Sequence, residues 1–191
     1  MIRTLFLAAA LAATCAPARA ERADALQPIH LSGQHQGDAD FAAGTASLVG
    51  DVELTRGTLA IHAEKAALKQ DDEGYTHATF WAGTGKKATF RQKRDGGPDL
   101  WTEGEAERIE YDEKLDVVTF IGAARVASLD GKRVASQATG PFLSYDNRKE
   151  QVRIVNSVQG VSQAGGSRVE LIFDRRPHPA TPAAAPEQGK H

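Results

Sequence analysis

One cysteine stands in the whole chain, Cys15. A single thiol excludes an intramolecular disulfide, and it excludes any cysteine-built zinc cluster. Aromatic residues are only 6% of the composition while hydrophobic residues reach 41%. Small and β-branched side chains therefore fill the inside, which predicts a thin or hollow interior. Past the first residues no run approaches the roughly 18 apolar positions that a membrane helix needs, so a soluble mature protein is expected. Positive charge is not in excess either, with 23 Lys and Arg against 25 Asp and Glu. That balance argues against nucleic acid as a partner.

Motifs for catalysis and metal binding are also missing. The histidines His30, His35, His62, His77, His178 and His191 form no closely spaced pair with a third ligand, the pattern of a zinc site. No serine sits in a Gly-x-Ser-x-Gly elbow. The densest acidic cluster runs from Glu103, Glu105 and Glu107 to Glu110, Asp112, Glu113 and Asp116, and two of these carboxylates could in principle serve as acid and base in glycoside cleavage. Glu103 and Glu105, however, alternate with the inward set Thr102, Gly104 and Ala106, so they face water. No catalytic residue, metal or cofactor is expected.

What the sequence does have begins with a leader. Arg3 precedes the apolar run Leu5 to Ala13, and Ala18-Arg19-Ala20 has the A-x-A form of a cleavage site. Residues 1–20 read as a secretory signal peptide cut after Ala20, which places the mature chain in the periplasm or outside the cell. Thr14 and Ala12 before Cys15 make a poor lipoprotein site. Cys15, Arg3 and Arg19 leave together, taking the formal charge from −2 to −4.

The stretch from Ala46 to Leu68, ASLVGDVELTRGTLAIHAEKAAL, is the building unit. Leu48, Gly50, Val52 and Leu54 share one parity, Arg56-Gly57 supplies a turn, and Leu59, Ile61 and Ala63 return at the same period, which makes a hairpin. Parity then changes before Ala66 and Leu68, as at a bulge or a corner where a strand passes between sheets. The slip recurs where Ala106 gives way across Glu107-Arg108 to Ile109 and Tyr111, and again where Gly140 gives way across Pro141-Phe142 to Leu143 and Tyr145. Each later copy runs on through a polar turn into a further strand, with Val118 and Phe120 in one and Val152 and Ile154 in the other. Three irregular β-modules are stacked in one chain.

Around these lie a short strand near Pro28 to Leu31, a weak segment from Gly33 to Gly44, and a hairpin containing Ala78, Phe80, Ala88 and Phe90. A last strand carries Val169, Leu171 and Phe173. Spacing of 8 to 12 residues per strand gives about 14 to 16 strands and no helix of three turns. The class is all-β over residues 24–174, irregular antiparallel repeats whose recurring corners favour a jelly-roll-like or repeat-built double sheet over a flat one. Residues 175–191 are Pro- and Ala-rich, with no apolar face to bury, and read as a disordered tail. The inward apolar face fits two readings, a sealed structural core or an open apolar groove. Periodicity does not separate them.

Gln27-Pro28-Ile29-His30, Val49-Gly50-Asp51-Val52 with Gly57-Thr58-Leu59, Ala63-Glu64-Lys65, and Gly85-Lys86-Lys87-Ala88-Thr89-Phe90-Arg91-Gln92 together resemble, in order, the periplasmic lipopolysaccharide-transport bridge family, LptA/OstA. The likeness spans about Asp24 to Phe173. It implies a twisted β-jelly roll whose interior holds the acyl chains of lipopolysaccharide, lined by Leu48, Val52, Leu54, Leu59, Ile61, Leu68, Phe90, Ile109, Tyr111, Val118, Phe120, Leu143, Tyr145, Val152 and Ile154. It also implies strand addition at two edges. Pro28, Ile29 and Leu31 would meet an inner-membrane partner, Val169, Leu171 and Phe173 an outer-membrane one, and the same two edges would join copies head to tail. The competing reading is a secreted structural or adhesive β-repeat protein without lipid cargo.

Overall fold

The computed structural model describes Asp24 and residues 26–174; the expected leader (1–20) and tail (175–191) lie outside the described residues. Twelve strands follow in order: β1 (His30–Ser32), β2 (Gln36–Asp40), β3 (Thr45–Arg56), β4 (Leu59–Gln70), β5 (Thr76–Trp81), β6 (Ala88–Lys93), β7 (Leu100–Ala106), β8 (Arg108–Asp112), β9 (Val117–Asp130), β10 (Arg133–Asp146), β11 (Gln151–Val155) and β12 (Glu170–Phe173). The count falls below the expected 14 to 16 because β3, β4, β9 and β10 run on for 12 to 14 residues through their corners. Spacing had divided them there.

Every pairing is antiparallel, and each long strand changes partner part way along. One half of β3 pairs with β1 and the other with β2. Likewise β4 divides between β6 and β5, β9 between β7 and β8, and β10 between β12 and β11. Two layers result. The first runs β1, β3, β4, β6, β7, β9, β10, β12, and the second runs β2, β3, β4, β5, β8, β9, β10, β11. The four long strands pass from one layer to the other along a shared corner.

The corner is built from two devices. In β3 and β9 a left-handed pair turns the chain, Gly50-Asp51 at φ 86° and 44° and Gly122-Ala123 at φ 81° and 42°. Two consecutive residues at positive φ are tolerable only because the first is glycine. The partner strands spend one residue where these spend two, so the register slips between Val49 and Val52 and again between Gly140 and Phe142. This is the parity change visible in the sequence at Ala63 to Ala66, and it is a β-bulge that redirects the inward face.

Register then aligns side chains into rows that cross each layer. In the first layer Leu31, Leu54, Ile61, Phe90, Gly104, Val126, Ala138 and Leu171 lie in one row from edge to edge. In the second, Leu48, Ala66, Phe80, Ile109, Phe120, Leu143 and Ile154 form the row beside the corner, followed by Ala46, Leu68, Ala78, Tyr111, Val118, Tyr145 and Val152. Cross-strand neighbours of this kind are the unit of sheet stabilisation.

Candidate functional site

The two layers pack face to face. Phe90 of the first layer meets Phe120 of the second edge to face, with ring centroids 5.6 Å apart, and lies 6.3 Å from Tyr145. Gly104 gives Phe120 its seat, since a Cβ there would lie 2.3 Å from the ring. The apolar rows therefore enclose one continuous core, and within this chain alone that core is filled by its own side chains.

Of the fifteen residues expected to line the interior, Val52, Leu54, Leu59, Ile61, Phe90, Ile109, Tyr111, Val118, Phe120, Leu143 and Tyr145 are buried in this core. Leu48, Leu68 and Ile154 are partly buried and pack against it. Val152 departs from the expectation. It keeps the inward register opposite Tyr145, but β11 is an edge strand and leaves it 37% exposed.

A third row, in which sequence periodicity places only Thr102 inward, closes the rim opposite the corner. On the first layer Gln92, Thr102, Ser128 and Ser136 lie in adjoining register, with Arg56 opposite Leu59 on the β3–β4 side. On the second it comprises Gln70, Thr76, Glu113, Asp116 and Asn147. Some of these groups bond across the gap between layers. Arg56 Nη1 donates to the Tyr111 hydroxyl at 2.8 Å and Arg56 Nη2 pairs with Glu113 Oε1 at 3.0 Å, while within the second layer the Thr76 amide donates to Glu113 Oε2 at 2.7 Å. The Thr102 hydroxyl donates to the Tyr145 oxygen at 3.1 Å, and Arg94 reaches Glu150 at 3.2 Å. Burial pushes the Tyr111 phenol up to about 12, with Arg56 acting in the opposite direction. The interior is thus apolar along the corner and polar along the rim. The same parity carries the pattern, for Arg56 follows Val52 and Leu54, and Gln92 follows Ala88 and Phe90.

The edges differ in detail from the sequence expectation. The first edge strand begins at His30, so Pro28 and Ile29 precede it, and β12 begins at Glu170, just after Val169. Each side of the sheet has two edge strands, not one. Among the described residues β1 and β2 pair only with β3, and β11 and β12 only with β10. Leu171, Ile172 and Phe173 on β12 are exposed, as is Val169 beside it.

Elsewhere, His62 is half exposed beside Glu53, and Glu103 and Glu105 take the outward parity, Glu103 pairing with Arg91 at 3.3 Å. Among the described residues no group of three or more His, Cys, Asp or Glu could hold a metal ion, and no helix is long and apolar enough to cross a membrane. A cleft of about 890 Å³ is lined by residues of β2, β3, β4, β5, β8 and β9, where Asp38, Asp40, Glu110 and Asp112 outnumber the cation of Lys69.

Residues 32–152 match the family described as LptA/(LptD N-terminal domain) LPS transport protein. The lipopolysaccharide export system protein LptA of Escherichia coli (strain K12) is 33% identical over 149 residues, covering 78% of this chain and 76% of that protein. Its namesake in Haemophilus influenzae is 26% identical over 151 residues, covering 79% of this chain and 83% of that protein. In structure the chain is similar to the crystal structure of LptH of Pseudomonas aeruginosa, described as the LptA-homologous periplasmic component of the lipopolysaccharide transport device. The TM-score is 0.66 at 24% identity, over 80% of this chain and 99% of that one. A match that long, joined to a relative at that identity, makes the chain a member of the LptA/LptD N-terminal domain family of lipopolysaccharide transport proteins.

Proposed function

We propose that this protein carries lipopolysaccharide across the periplasm, holding the lipid A acyl chains between its two layers. In this role it bridges an inner-membrane export complex and an outer-membrane insertion complex. The observation that carries the reading is the run of apolar rows across the molecule, from edge to edge between Leu31 and Leu171 in the first layer, and in the second from Leu48, which lies against Gly37 of the edge strand β2, to Ile154 of the edge strand β11. A channel for acyl chains has to be continuous across the whole molecule and to meet the next one at both ends. An acyl chain of about a dozen methylenes costs roughly 10 kcal/mol to expose to water, at about 0.8 kcal/mol per CH₂. Apolar rows that join across subunits remove that cost at every step.

Cargo then replaces contacts between the layers, so the layers part as the chains enter. Partners add as strands. The β1 and β2 edge receives the inner-membrane partner, the β11 and β12 edge the outer-membrane partner, and copies join head to tail because such a heterologous contact does not close on itself. With net charge −2 the protein is a poor clamp for phosphates, so binding rests on the acyl chains and depends weakly on salt. The test is competition. Intact lipopolysaccharide binds and the fully deacylated saccharide does not compete; equal binding of the two refutes an acyl-chain site.

A further inference from the structure

Among the described residues, the polar rim holds a buried side-chain oxygen that the fold leaves without a donor and without an evident structural reason. Gln92 is 5% exposed, and its side-chain carbonyl oxygen is buried with no hydrogen-bond partner. A buried carbonyl without a donor is destabilising, and a structural role at this position would be better met by an apolar side chain of the same volume. The neighbouring groups are committed elsewhere. Thr102, opposite Gln92 in the register, gives its hydroxyl to Tyr145, and Arg56 is held by Tyr111 and Glu113. Asn147 also has an unpartnered oxygen, but its amide nitrogen and its backbone are both tied to Asp116, which accounts for it as a turn residue.

Gln92 takes the inward parity one step beyond Phe90 and two beyond Ala88. It therefore stands where apolar strand gives way to polar rim, the level at which the head of a bound amphiphile meets its tails. We propose that Gln92 is a specificity-determining residue for the cargo, its carbonyl accepting a hydrogen bond from an amide N–H or a hydroxyl carried close to the head of an acyl chain. The proposal rests on the interior-cargo reading above and deepens it. Its chemical content is discrimination. An N-acylated or hydroxyacylated chain carries such a donor, whereas an ordinary diacyl phospholipid has only ester oxygens at that level, which accept and cannot pair with a carbonyl. A site with a buried group awaiting a donor rejects the ligand that lacks one.

The experiment uses the mature protein with Gln92→Met, which conserves volume, and Gln92→Leu as a second apolar variant. Affinity is measured for two probes, lipid A with amide-linked hydroxyacyl chains and a diacyl phosphatidic acid matched for phosphate. Both variants are expected to lose about tenfold in affinity for lipid A, to bind phosphatidic acid as the wild type does, and to unfold at the same or a higher temperature without ligand. An equal loss for both probes, or no loss for lipid A, overturns the role of Gln92 and leaves the transport reading in place. Failure of the wild type to bind either probe refutes the interior-cargo reading itself.

Discussion

Gly104→Ala tests the face-to-face packing of the two layers. Gly104 lies in β7, and no left-handed backbone conformation is required of it, so the effect of a methyl group is purely steric. The new Cβ would stand 2.3 Å and 2.5 Å from two ring atoms of Phe120. Ordinary carbon contacts are about 3.5–4.0 Å, so ring and strand have to separate by more than roughly 1 Å. Phe120 has no free space to retreat into, being fully buried and edge-on to Phe90. Overpacking of this kind costs about 1–3 kcal/mol, which for a domain of this size lowers Tm by about 3–10 °C. Thermal and urea unfolding of Gly104→Ala, Phe120→Leu and the double variant form a cycle. The leucine leaves room for the methyl, so the double variant is expected to be more stable than the sum of the single effects predicts, by about 1 kcal/mol or more. A neutral Gly104→Ala, or strict additivity, would refute face-to-face packing of the layers at this point.

Arg56→Met removes the cation that holds Glu113 and Tyr111 across the rim. A broken buried pair predicts a loss of about 3–5 kcal/mol in urea unfolding, recovered in part by adding Glu113→Gln. Tyr111 keeps its proton in the folded protein to about pH 12, above the ordinary tyrosine value of 10.0. The raised value stabilises the fold fully below pH 10, and this contribution is lost as pH rises through 12, amounting to about 2–3 kcal/mol. Stability of the wild type measured against Tyr111→Phe should show that extra alkaline slope, and parallel curves would contradict it. Leu171→Lys with Phe173→Lys charges the exposed β12 edge. Sedimentation should show concentration-dependent association in the wild type and a monomer in the variant, at unchanged Tm; unchanged association would exclude β12 as the joining edge.

Much of this architecture was legible because parity in a strand is unforgiving. Val52, Leu54, Leu59 and Ile61 recur at every second position of their strands, and each is inward where its period puts it. The slips at Ala63 to Ala66 and at Pro141-Phe142 marked the corner because a bulge has to change parity. The left-handed pairs at Gly50-Asp51 and Gly122-Ala123 stayed hidden, since a glycine on an apolar face reads equally well as a space-filler. Hydrophobicity also hid the rim. Arg56 reads as turn chemistry and periodicity assigns Gln92 no face, although each continues the inward period of its strand; Thr102 reads as inward with Gly104 and Ala106, but not as part of a polar row. A buried polar residue is recognisable only once its partner is known, and the partners of Arg56 and Thr102 are 55 and 43 residues away in the opposite layer. Val152 shows the opposite limit, because parity assigns a face and does not tell an edge strand from a covered one.

The most direct test of the trough is site-specific photocrosslinking to lipopolysaccharide. Probes at the inward positions Leu54, Ile61 and Phe120 would be compared with the outward neighbours Glu53, His62 and Thr119. The account predicts adducts at the inward set alone. Adducts at neither set in a folded protein, or at the outward set alone, would contradict it and leave the apolar rows a sealed structural core.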